Sequence, residues 1–225
     1  FPSGISSFGV PVLGGGSLVT TGKFFFVDSV TGSNGNSGLD SAHALATIDY
    51  AVGKCTANKG DTIIVMPGHA ETITNATGLA IDVAGIKIVG LGQGRTRPVI
   101  TLATNTTANI PVTVADVTIE NIVFVCAIDA QTAMITVSAA DFSLFRCELQ
   151  TTSATVGAVA GLLTAATATR LWVESGVFYG PAVNTGTTTT AQIKHEVGVD
   201  YLIRNNVFTG KMTQAITNVA TVLRG

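Results

Sequence analysis

Charge is what this sequence has least of. Asp, Glu, Lys and Arg together make up 12% of the 225 residues, against 46% hydrophobic residues. A globular chain carries roughly 25% charged residues, so a chain this poor in charge has outer faces suited to cover by copies of itself or by a partner. The net charge is −2, and the 12 basic residues form no stripe, which argues against a nucleic-acid footprint. Cysteine is scarce too. Cys55, Cys126 and Cys147 include no Cys-x-x-Cys pair and are odd in number, so they make no disulfide framework and read as small buried apolar groups of a reducing compartment. No apolar run approaches the ~20 residues of a spanning helix, and no membrane partner is expected. A basic-then-apolar leader is absent, and the chain opens at Phe1 rather than Met. Aromatics amount to 6%, ten of them Phe, which leaves little surface for stacking against sugars.

Length is not lacking. A 225-residue chain can bury roughly 70% of its unfolded surface without a staple. Residues 1–22, rich in Gly, Ser and Pro, read as an extended N-terminal arm. Its apolar residues Phe1, Ile5, Phe8, Val10, Val12 and Leu13 suit docking on a neighbouring surface better than life as a free tail, although a disordered terminus is the alternative. Residues 23–79 read as a cap and first coil: the strand Lys23–Asp28, an amphipathic helix from Ser41 to Cys55 with Leu45, Ile48, Val52 and Cys55 on one face, then the strand Thr62–Met66.

Residues 80–225 are repetitive. Four segments starting at Asp116, Asp141, Arg170 and Asp200 share one pattern: an apolar residue two before a central aliphatic and another five after it. The central residues Ile119, Leu144, Val173 and Ile203 stand 25, 29 and 30 apart, and Ile88 fits 31 residues earlier, although Gln93 breaks the last apolar position there. Alternation by two places side chains on one face of a strand. A polar residue (Asn121, Arg146, Ser175, Asn205) then turns the chain, and Phe124, Leu149, Phe178 or Phe208 points inward from the next strand. Repeats of this length, each burying its core against its neighbours, mark a solenoid. A Greek-key sandwich with chance matches is the alternative.

The run from Phe24 to Leu91, together with coils of the form Val-x-Ile-x-Asn-x-x-Phe, resembles the pectin-lyase-like family. That resemblance implies an all-β, right-handed, single-stranded parallel β-helix with a short N-terminal capping helix. Within the family the short, threonine-rich, charge-poor chain is most similar to β-helix proteins of tailed-bacteriophage virions. The expectation that follows is a homotrimeric structural protein, made in the host cytoplasm, on the capsid surface and bound to the major capsid protein or another virion protein. The alternatives are a tail spike that binds or cleaves a surface glycan, and a polysaccharide lyase or hydrolase.

Chemistry is thin, and no catalytic residue or cofactor is expected. Outward positions after the central aliphatics are Val89, Glu120, Phe145, Glu174 and Arg204. Glu120 and Glu174 would stand two coils apart, roughly 9–10 Å, at the edge of the carboxylate separation of inverting glycosidases, with Arg204 one coil further and Phe145 in between. They are the weak candidates if the protein is an enzyme. Asp28, Asn34, Asn36 and Asp40 could ring a calcium ion, although loop hydrogen bonding accounts for them better. Asp116, Asp141 and Asp200 precede strands and read as turn residues.

Overall fold

The computed structural model describes residues 6–7, 10–11, 22–152, 156–181, 189–195 and 200–218. Three parallel sheets wrap one core. Sheet 1 stacks Phe24–Val27, Thr62–Val65, Lys87–Gly90, Val117–Glu120, Phe142–Phe145, Leu171–Glu174 and Tyr201–Arg204. Sheet 2 stacks Ala70–Ile73, Val99–Leu102, Val123–Cys126, Glu148–Thr151, Val177–Tyr179 and Val207–Thr209. Sheet 3 stacks Ile110–Val112, Gln131–Val137, Ala158–Thr164, Thr189–His195 and Met212–Asn218. From Lys87 onward each coil visits sheets 1, 2 and 3 in turn, and paired strands stand one coil apart. This is a parallel β-helix.

The register follows the sequence repeat. Ile63, Ile88, Ile119, Leu144, Val173 and Ile203 stand opposite one another up sheet 1. Ile100, Phe124, Leu149, Phe178 and Phe208 do so up sheet 2. The Phe178 and Phe208 rings stack at 5.0 Å. Ile100, not Gln93, fills the inward place in its coil, because the 3-10 turn Gly94–Thr96 lengthens that corner.

The corners explain the polar residues. Asn121, Arg146, Ser175 and Asn205 have φ of 51–58°, and Asp116, Asp141, Arg170 and Asp200 have φ of 55–64°. A single left-handed residue reverses the inward-outward alternation and starts a new strand. Its own N–H still bonds the next coil, as from Asn121 to the Phe145 carbonyl and from Asp141 to the Thr169 carbonyl. Asn and Asp tolerate that conformation best after glycine, and they fill five of these eight corners. At the equivalent corner lower in the stack, Gly85 takes the same role with φ 71°.

The N-terminal end of the core is closed by the helix Ile48–Val52, whose Ile48, Ala51 and Val52 are buried. This helix is shorter than the Ser41–Cys55 segment expected. Asp40 caps a separate 3-10 turn at Ser41–His43. Leu45 then joins Val27 in a parallel bridge, so the backbone is extended there, and the Thr47 hydroxyl starts the true helix by accepting the Tyr50 N–H. In the arm, Ser6–Ser7 pairs antiparallel with Val10–Pro11. The docking candidates Phe1, Ile5, Phe8, Val12 and Leu13, and the side chain of Val10, lie outside the described residues.

Candidate functional site: the outer face of sheet 1

Val89, Glu120, Phe145, Glu174 and Arg204 form one column on the outer face of sheet 1. Glu120 is almost buried, its side chain 6% exposed. It is gripped by Lys87 Nζ at 2.7 Å from the coil before and by the Arg146 guanidinium from the coil after. Burial, and then the Arg146 charge, lower the Lys87 pKa. Glu174 accepts from Arg204 at 3.0 Å and from the Trp172 indole N–H at 3.0 Å. The Arg204 hydrogen bond holds its carboxyl below the usual carboxylate range. Phe145 stands between the two glutamates and packs edge-to-face on Trp172 at 5.1 Å, and the Arg204 guanidinium lies over the Trp172 ring at 5.5 Å.

This geometry suits anchoring more than turnover. A general acid at neutral pH needs a raised pKa, and Glu174 is pushed the other way. Both carboxylates already have cationic partners, and an aromatic ring occupies the gap where a sugar and a water would have to sit. An open depression of about 280 Å³ on this face is lined by Arg170, Leu171, Trp172, Asp200, Tyr201 and Leu202.

The other candidates are held by the loops that carry them. Asp28 accepts from the Val30 N–H and the Thr31 hydroxyl. Asn34 accepts from the Ala46 and Thr47 N–H groups, Asn36 donates to the Ala44 carbonyl, and Asp40 accepts from the Ala42 and His43 N–H groups. Among the described residues no three His, Cys, Asp or Glu side chains gather as metal ligands. His69 is buried against Glu71 at 3.2 Å, and Glu71 also accepts the Ile48 N–H, tying the cap to the first coil of sheet 2. Burial pushes the thiols up, Cys55 and Cys147 to about 12 and Cys126 to about 11.

Sequence reasoning missed Arg97. It bonds Glu148 at 3.1 Å and the carbonyls of Ile122 and Arg146 at 3.4 and 2.7 Å, riveting consecutive coils at one corner. The signal existed only in the register: Val99, Val123 and Glu148 share one outward column, and Arg97 lies two residues before its first member.

No protein-family model matches the chain, and no curated protein does. Among solved structures a rhamnogalacturonan lyase is similar, with a TM-score of 0.59 and 14% identity over 88% of this chain and 51% of that one. The fold is a right-handed parallel β-helix. At that identity the likeness concerns fold alone, and this chain spans about half the length of the lyase. The β-helix here shares its architecture with an enzyme, while its own sheet 1 carboxylates are committed to ion pairs.

Proposed function

We propose that the protein is a structural component of a tailed-phage virion, a β-helical homotrimer that decorates and stabilises the capsid and docks through residues 1–22. The observation that carries the structural half is the state of Glu120 and Glu174, each neutralised and separated by Phe145. The charge-poor composition supports burial against other copies. The phage half rests on the sequence resemblance. Cryo-electron microscopy of purified particles tests it: many symmetric copies on the head are expected. A few copies at the tail would mean receptor binding, and absence from particles would overturn the proposal.

The lyase-like fold and the depression beside Trp172 favour a second reading, cleavage or binding of a polysaccharide. Incubation with rhamnogalacturonan and bacterial surface polysaccharides separates the two. No product is expected from the wild type. Product release that E120Q/E174Q loses while keeping its far-ultraviolet circular dichroism would favour the enzyme.

A further inference from the structure

Nine large apolar residues are exposed among the described residues, and six of them (Trp172, Tyr179, Tyr201, Leu202, Val207 and Ile216) lie in the last two coils. The outer faces there carry two separate patches. Trp172 and Leu202 stand opposite each other on sheet 1, 38% and 44% exposed. Tyr179 and Val207 point outward from sheet 2 on the same two coils, 39% and 55% exposed. Lower in the stack the corresponding positions are covered or polar: Val123 and Val125 on sheet 2 are buried, and Thr118 and Ser143 occupy the Trp172 column on sheet 1.

We propose that copies of this chain associate through these two patches, Trp172 and Leu202 of one copy packing against Tyr179 and Val207 of the next. This rests on the self-assembling reading above and adds where the copies meet. Both patches sit at the same height on neighbouring faces of one stack. Rotation about an axis parallel to the stack therefore brings one against the other with no shift along it, and a contact between two different patches closes into a ring where that rotation is a whole fraction of a turn. Two nearby ion pairs are internal, Glu174 with Arg204 and Asp141 with Arg170, and Asp200 beside the first patch adds a single carboxylate. A largely apolar partner with little charge fits, and a second copy of this charge-poor chain supplies it, whereas a strongly acidic or basic partner would find no unpaired counterpart in those two pairs. The Trp172 ring is held in place by Glu174, Arg204 and Phe145, so packing on it orders little that is not already fixed.

The test is solution mass by light scattering on the full chain, at concentrations from about 1 to 100 μM, a range set by ordinary interface affinities. The wild type is expected at three times the 23.0 kDa chain mass. Leu202→Lys and Val207→Lys each spoil one patch and are expected to be monomeric with unchanged far-ultraviolet circular dichroism. Leu202→Ser and Val207→Thr serve the same purpose if a lysine variant fails to fold. Because the patches differ, mixing L202K with V207K leaves one intact pairing and is expected to give a dimer. Val30→Lys, an exposed apolar site at the other end, is expected to stay trimeric. Variants that keep the wild-type mass would overturn the patch assignment and leave the trimer standing. A wild type that stays monomeric throughout would overturn both.

Discussion

A left-handed residue at each corner is the smallest unit on which the stack depends. Asn121 holds φ 58° and its amide donates to the Gly90 and Gly92 carbonyls of the coil below. Asn121→Ala keeps neither the tolerance nor the bonds and is expected to destabilise by about 2 kcal/mol, while Asn121→Gly, which restores the backbone, is expected to cost roughly half of that. Thermal unfolding of both variants measures the difference. Arg97→Ala removes the arginine donor from Glu148 and the Arg146 carbonyl at a part-buried corner, while the Ile122 carbonyl keeps the Glu148 N–H, and is expected to cost about 2 kcal/mol. The ion pairs set the acid response. Hydrogen bonds from Arg170 and Arg204 lower the folded-state pKa of Asp141 and Glu174. A depressed carboxylate contributes stability that is present above its unfolded pKa and lost as pH falls through the folded one. The melting temperature is therefore expected to fall below about pH 4, the unfolded carboxylate range, and to fall less steeply in Glu174→Gln. A wild type and variant with parallel pH profiles would contradict that assignment.

At the scale of elements, most of the coil was legible in the sequence, and the reason is stacking. Each inward position packs on its counterpart one coil away, so Ile119, Leu144, Val173 and Ile203 must all be aliphatic, and spacing alone reveals them. The outward column of Glu120, Phe145, Glu174 and Arg204 was legible by the same register. Elements without a repeat were harder. The segment Ser41–Cys55 has helical spacing, yet Leu45 bonds the edge of Phe24–Val27 instead, a long-range pairing that local periodicity does not encode. The corner after Lys87–Gly90 also hid its inward residue, because the Gly94–Thr96 turn displaced it to Ile100. Arg97 was invisible for another reason: a lone arginine shows no pattern until the coils that it bridges are aligned. The cap itself is testable. Ile48 is fully buried over the first coil, so Ile48→Ala is expected to cost about 2–4 kcal/mol. Its effect should concentrate in amide protection of Phe24–Val27 and Thr62–Val65.

On the scale of the whole molecule, the two ends differ. A helix covers the N-terminal end. At the other, the strands Tyr201–Arg204, Val207–Thr209 and Met212–Asn218 lie at the outer edges of their sheets among the described residues. The inward Ile203 and Phe208 are only part-buried, where Val173 and Phe178 one coil earlier are fully buried. Edge strands are usually guarded by charge, proline or bulges, and of these three only the first carries a charge, Arg204.

The most direct measurement is amide hydrogen exchange of the wild-type protein as a function of its concentration, above and below the point at which its mass falls to that of one chain. Protection of Leu171–Glu174, Val177–Tyr179, Tyr201–Arg204 and Val207–Thr209 is expected to rise with concentration, while Phe24–Val27 and Thr62–Val65 stay constant. Protection of the last two coils that does not depend on concentration, or a rise confined to the capped end, would contradict assembly through these coils.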